Sequence, residues 1–392
     1  MAAKKNVAVL AACQALLFTN NATLIALNGL VGFALAADKR LATLPVTSWV
    51  VGGALTTYFA SLLMKRIGRR AGFTVGAAVG IVGALICAWA IYVGDFWLFC
   101  FGAVVFGAYN AFGQYYRFAA ADAAPVDFRS KAISLVIAGG LVGGLVGPTL
   151  SRWTRGLLPT DFLGAFLALI AMLVLVMLVL RLLHIPPPRP GEAKEGGRPL
   201  GEIVRQPAYI VAVIGAGLGY GIMNLLMTAT PLAMGVCGHP YGAAATVISW
   251  HVVAMFAPSF VTGDLVRRFG VLNVMMAGVA LNFACVAIAL AGVEVANFWF
   301  ALVLLGIGWN FLFVGATTLI TETYRPEERA KAQGANDLAI FLIMAVSSFA
   351  SGVVLEARGW EMLNYLALPF VAAIGIAVAW MMLRRRRAPA AA

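Results

Sequence analysis

Three ionisable side chains stand inside long apolar runs: Arg117 in GQYYRFAAADAAP, His251 in ISWHVVAMF and Asp337 in GANDLAIF. A guanidinium is a permanent cation that recognises carboxylate or phosphate, an imidazole titrates near neutral pH, and a carboxyl group can take up or release a proton. Amides and aromatics recur around them at helical spacing. Asn21 and Asn28 are seven apart, with Gln14 on the same stripe and Asn20 beside it. Asn110, Gln114 and Arg117 follow at i, i+4 and i+7, Tyr220 and Asn224 precede Thr228, and Trp309 and Asn310 precede Thr317 and Thr321. Such faces offer hydrogen bonds and ring contacts to a solute, which is recognition chemistry. A metal-ligand cluster, nucleophile elbow or phosphate loop is absent from the sequence, so metal, cofactor and enzyme are all set aside.

Each of these residues has a structural alternative. Asn and Gln within apolar helices also serve as hydrogen-bonding links between helices. Arg117 would meet either an anionic group on a substrate or the carboxylate of Asp337, which lies at similar depth. His251 is either a proton-binding group or a buried neutral ring bonded to a neighbouring helix.

The elements carrying these residues follow from composition. Of the 392 residues 62% are hydrophobic and 11% charged, and mean hydropathy is +0.92, which indicates a polytopic membrane protein. The apolar runs are roughly 20 to 30 residues long, enough to cross about 30 Å of hydrocarbon as helix. They predict twelve spans, near 7–36, 41–64, 71–93, 96–124, 132–153, 160–183, 207–235, 241–263, 271–292, 296–322, 331–355 and 361–383. The net charge of +12 needs no nucleic acid: with the N-terminus cytoplasmic, 22 of the 28 Lys and Arg fall on the cytoplasmic side, which orients both termini inward. An inner-membrane, multi-pass protein is expected, with lipid bilayer as its surroundings and no oligomer implied. The polar stretch 184–206 is expected to link an N-terminal bundle, 1–183, to a C-terminal bundle with a basic tail, 207–392.

The two halves repeat. At an offset of 200, Asn110 matches Asn310, Asp122 matches Glu322, Arg129 matches Arg329 and Lys131-Ala132 matches Lys331-Ala332. At 201, Ser48-Trp49 matches Ser249-Trp250, and at 202 the turn Lys65 to Gly68 matches Arg267 to Gly270. Arg117, His251 and Asp337 have no ionisable mates: their counterparts are Thr317, Val50 and Ile137. Asp122 and Glu322, each at the cytoplasmic end of a helix and facing the basic turn after span 2 or span 8, are expected to be gate charges. Arg117 lies about 8 Å deeper than Asp122 at helical rise.

The turn MKRIGRR, carried by Arg66, Gly68, Arg69 and Arg70, resembles the loop 2–3 motif of the major facilitator superfamily; Arg268 and Gly270 repeat it after span 8. GGLVGGLVGP, with Gly143, Gly147 and Pro148, is similar to the span 5 motif of its antiporters. The resemblance implies an all-α fold of twelve transmembrane helices in two pseudo-symmetric six-helix bundles, with substrate near midplane between helices 1, 4, 7 and 10. It implies alternating-access transport of a small organic solute. Proton-coupled antiport, and hence export, is the expectation from the span 5 motif, with Asp337, His251 or Asp122 as coupling groups. Proton-coupled uptake of an anionic metabolite or metal chelate is the alternative, and a non-transporting receptor the next.

Overall fold

The computed structural model describes residues 2–38, 41, 44–186 and 197–387. Residues 187–196, the centre of the expected linker, and the tail beyond 387 lie outside the described residues. Lipid satisfies no backbone hydrogen bond, so an apolar chain closes its bonds within helices. In order these are α1 (Ala2–Leu35), α2 (Leu44–Ile67), α3 (Arg69–Val93), α4 (Phe96–Gly113), α5 (Tyr116–Asp122), α6 (Arg129–Thr154), α7 (Leu163–Leu180), α8 (Leu200–Val204), α9 (Pro207–Val236), α10 (Tyr241–Phe256), α11 (Ser259–Phe269), α12 (Val271–Ala291), α13 (Val295–Ile320) and α14 (Arg329–Arg387).

Three breaks reconcile these with twelve spans. α4 and α5 form one span, Phe96–Asp122, interrupted at Gln114 and Tyr115. α10 and α11 form another, bent by 41° where Pro258 withholds a backbone donor. α14 is two spans joined at Gly359, whose φ of 78° and ψ of −178° suit only glycine. The sequence places a loop there, and the structure replaces it with a single reversed residue.

Glycine also explains the basic turns. Gly68 and Gly270, at matched repeat positions, have φ of 86° and 85° and begin α3 and α12 with similar geometry. A side chain at either would be strained, so the motif glycines fix the sharp reversal between consecutive helices.

The chain divides into two compact units. The first comprises the described residues of Met1–Pro125, Leu135–Gly196 and Arg329–Leu338. In it α4 is the central helix, with α2 and α3 packed on it and α7 on α3. Close approach is permitted by small residues: a Cβ on Gly107 would lie 2.2 Å from the Trp49 carbonyl oxygen. The second comprises Val126–Ser134, Gly197–Glu328 and the described part of Ala339–Ala392. Its central helix is α13, the repeat counterpart of α4, with α9, α10 and α12 packed on it. Each unit thus contains the first turns of one helix, α14 or α6, whose remainder belongs to the other.

Candidate functional site

The interruption of the α4–α5 span turns three side chains toward one another. Asn21 on α1 donates from Nδ2 to Asn110 Oδ1 at 2.8 Å, and Gln114 Nε2 reaches the same oxygen at 3.3 Å. Arg117 Nη1 then bonds Gln114 Oε1 at 3.0 Å and the Gln114 carbonyl oxygen at 2.8 Å. Arg117 Nη2 completes the chain on Asp337 Oδ1 at 2.6 Å, where Asn336 Nδ2 also donates at 2.8 Å. All of these residues belong to the first unit. Four amides, a guanidinium and a carboxylate form one connected path from α1 to the start of α14.

The ion pair is dry: the side chains of Arg117 and Asp337 are only 4% and 2% exposed. The guanidinium also lies over the Phe118 ring, 4.6 Å from its centroid. Of the alternatives for Arg117, this geometry realises the partnership with Asp337. Beside the path, Asn21 Oδ1 and Gln14 Oε1 are buried without a partner among the described residues. An unpaired buried acceptor costs about 1–3 kcal/mol.

Asp122 lies against the basic turn after α2. Its Oδ2 lies 3.0 Å from Arg69 Nη2 and 3.6 Å from Arg329 Nη1, and Arg69 Nη2 also bonds Gln333 Oε1 at 2.6 Å. Ser61, standing where the second repeat has Gly263, donates to the Ala330 carbonyl oxygen at 2.7 Å. Thus the basic turn after α2 holds the first turns of α14 by charge and by backbone contact. Arg66 and Arg70 are exposed, and Arg268 lies over the Phe269 ring at 5.2 Å.

The second unit departs from the expected symmetry. Glu322 does not face the basic turn after α11; it pairs with Arg385 at 2.5 Å, both about half exposed. The carboxylate at that turn is Asp264, bonded to Lys131 and 3.4 Å from Arg267. Asp264 stands three residues before Arg267, hence on the same helical face. Next to it, Gly263 is pressed against the start of α6: an added Cβ would lie 2.6 Å from Lys131 Cα.

Asn310 likewise parts from its mate Asn110. It is fully buried and spends its amide on the α10–α11 bend, donating to the Met255 carbonyl oxygen at 2.6 Å and Ser259 Oγ at 2.5 Å. Its Oδ1 accepts from Thr262 at 2.7 Å. The repeat suggested a solute contact; the structure uses this side chain to fill the bonding positions that the break opens. Asn28 is also fully buried and reaches the Pro45 carbonyl oxygen at 3.4 Å, a link between α1 and α2. His251 is inaccessible, with Nδ1 2.7 Å from the Leu302 carbonyl oxygen, a link between α10 and α13.

An aromatic cluster packs between α9 and α13 in the second unit. Trp309 and Phe313 stack at 4.9 Å between centroids, and Tyr220 stands edge-on to both at 5.3 and 5.6 Å. Trp309 is buried, whereas Tyr220 is half-buried, and Asn224 one turn along donates to Ser347 Oγ at 3.1 Å and the Met344 carbonyl oxygen at 3.2 Å. In α6, Gly143 and Gly147 lie against α1; a Cβ on Gly147 would meet Ala22 Cβ at 2.6 Å. Pro148 falls within the same helix.

Sequence reasoning missed Asp264, Gln333, Asn336 and Glu328. Glu328 is fully buried and receives Arg198 Nη2 at 2.7 Å, Arg198 Nε at 2.9 Å and the backbone N–H groups of Arg198 and Arg325. These bonds, led by the Arg198 side chain, hold its carboxyl down at about 2. The signal was present: Glu328 and Asp264 have Phe128 and Leu62 as repeat counterparts, the same lack of a mate that singled out Arg117.

Among the described residues, apolar helices that make up twelve spans in two repeated halves define a membrane protein of the transporter class. The chain belongs to the Major Facilitator Superfamily, whose family model matches residues 10–270 and 238–392. It is 44% identical over 376 residues to the riboflavin transporter RfnT of Brucella anthropi, covering 95% of this chain and 94% of that protein. It is 29% identical to the MFS-type transporter YddS of Bacillus subtilis, over 85% and 82% of the two chains. Among solved structures, the proton:xylose symporter XylE matches with a TM-score of 0.78 at 15% identity, covering 98% of this chain and 95% of that one. The Escherichia coli fucose:proton symporter FucP matches at 0.73 and 16%, covering 97% and 99%. The likeness to these two is one of fold.

Proposed function

We propose that this chain carries riboflavin or a closely related flavin across the inner membrane, with both termini cytoplasmic. The observation that carries the reading is 44% identity to a riboflavin transporter along almost the whole of both chains. The site chemistry supports it. Riboflavin is uncharged at neutral pH and joins a flat tricyclic ring to a polyhydroxyl chain, so it asks for ring contacts and neutral hydrogen bonds. The first unit by itself holds neutral hydrogen-bonding groups in Asn21, Asn110 and Gln114, and the second by itself holds the half-buried ring of Tyr220, backed by Trp309 and Phe313, with Asn224 one turn along. Arg117, engaged with Asp337, is left to gating and needs no anion on the substrate.

Transport follows alternating access, coupled to protons through Asp337. A proton on this carboxylate removes the ionic part of its bond to Arg117, and release of the proton restores it. Asp122 with Arg69 and Arg329 is the shallower layer of the same closure. A second reading, proton-coupled antiport and so export, rests on the α6 glycines Gly143 and Gly147, packed on α1.

Proteoliposomes containing the purified chain, with riboflavin on one side and an imposed pH gradient, test both. Accumulation along an inward proton gradient supports symport, and efflux against it supports antiport. Absence of riboflavin flux under any gradient overturns the substrate, and flux indifferent to pH overturns the coupling.

A further inference from the structure

The two arginines that end the basic turn are used differently. Arg69 is buried and bonded to Asp122 and Gln333, whereas Arg70 is exposed and lies on the α7 side of α3. There it lines a cavity of about 320 Å³ with Thr74 of the same helix and Val174, Met177, Leu178 and Arg181 at the end of α7. Neither Arg70 nor Arg181 has an acidic partner among the described residues. α3 and α7 run antiparallel as packed neighbours in the first unit, so the start of one and the end of the other set both guanidinium groups at one level. From that level toward the middle of the span the wall is apolar and outward-facing, with Val174, Leu178 and Val75 each more than a third exposed.

Charge and apolar wall together select the occupant. The α3 N-terminus adds to the positive potential: its cap is Gly68 without a side-chain hydrogen bond, and its first turn holds no acidic residue. A cation at position two of a helix is itself unfavourable there, and an anion relieves both. A soluble anion would use the arginines and leave the aliphatic wall idle, whereas a lipid places phosphate at the interface and acyl chain along the helices. We infer that the α3–α7 groove is a binding site for one anionic phospholipid, its phosphate held between Arg70 and Arg181 and its chain lying along Val174 and Leu178.

The test uses the full chain in detergent, stripped of lipid and titrated with phosphatidylglycerol or phosphatidylcholine of the same chains, with adducts counted by native mass spectrometry. The wild type should retain phosphatidylglycerol at lower concentration than phosphatidylcholine. Arg181→Gln should raise the half-saturating phosphatidylglycerol concentration about fivefold, the worth of one interfacial cation, and Arg70→Gln by a similar factor. Arg155→Gln, just past the end of α6 and outside the groove lining, should behave as wild type. An unchanged melting temperature without lipid shows that Arg181→Gln is folded; if it is not, the Arg181→Lys variant, which keeps the charge, serves in its place and should bind within about twofold of wild type. Equal retention of both lipids, or no change in either arginine variant, overturns the site. Displacement of phosphatidylglycerol by inorganic phosphate beyond that caused by chloride at matched ionic strength assigns the groove to free phosphate and overturns the lipid.

Discussion

Neutralising Asp337 alone should damage this protein more than removing the whole ion pair. In Asp337→Asn the Arg117 guanidinium keeps its bonds to Gln114 and its place over the Phe118 ring, but loses its counter-charge at a site only 4% exposed. Stranding one member of a buried pair costs about 3–5 kcal/mol, and replacing both with apolar groups of similar volume is often neutral or stabilising. Asp337→Asn should therefore lower the free energy of unfolding by that amount, about 10² to 10⁴ in the folding equilibrium. Arg117→Met/Asp337→Leu should recover most of it. Reversible unfolding in mixed micelles measures both, and proteoliposome flux measures the consequence: the double variant should fold yet lose the response of transport to a pH gradient. The charge swap Arg117→Asp/Asp337→Arg should recover part of the stability, because the partners remain within reach. A loss below about 1 kcal/mol in Asp337→Asn, the scale of a solvated pair, would refute the claim that the pair is desolvated. A double variant no more stable than Asp337→Asn would refute the claim that the stranded charge is the cause.

The repeat mates Asn110 and Asn310 should separate by phenotype. Asn310→Ala leaves the α10–α11 break unsatisfied and should cost about 1–3 kcal/mol in the same unfolding assay, while Asn110→Ala should weaken riboflavin affinity with a smaller stability loss. Glu328 has its pKa held at about 2 against an ordinary 4.5, so the Arg198 bonds are fully present above about pH 4.5 and are lost as pH falls from there through about 2. Hydrogen exchange at the Arg198 and Arg325 amides should accelerate over that window, and Glu328→Gln should exchange fast at neutral pH with a flattened profile. Equal exchange in the variant at pH 7 would count against the latch. Gly147→Leu should block packing of α6 on α1 and abolish transport, since even a Cβ there meets Ala22 Cβ at 2.6 Å; retained flux would remove these glycines from the moving contact.

Span count, repeat and motif turns were legible because each rests on a one-dimensional regularity. Hydropathy must persist for about 20 residues to cross the bilayer, and a duplicated unit keeps its offset. Where the spans break was less visible. Pro258 signals the bend between α10 and α11, but no residue type announces the interruption at Gln114 and Tyr115, and Gly359 resembles any of 42 glycines until its φ is seen. The partner of Arg117 was one of two readings, because helical spacing gives the depth of a side chain and not which neighbouring helix it meets.

Repeat symmetry is informative where it holds and again where it fails. Asp122 and Glu322 share a position, but the first has a basic turn and the start of α14 around it, and the second has only Arg385 at an exposed surface. The carboxylate function of the second turn has moved along α11 to Asp264, where Lys131 at the start of α6 takes the part that Arg329 plays for Asp122. What the two halves retain is therefore a pairing of cation and carboxylate at each basic turn, not the residue that supplies it. Arg117 and Asp337 lie outside that shared framework, since neither has an ionisable mate. Their bond is buried, whereas the matched layer nearer the helix ends is more open to solvent. One member of the pair comes from each repeat, so each half has departed from the common plan at a different position, and the bond exists only because both departures are present.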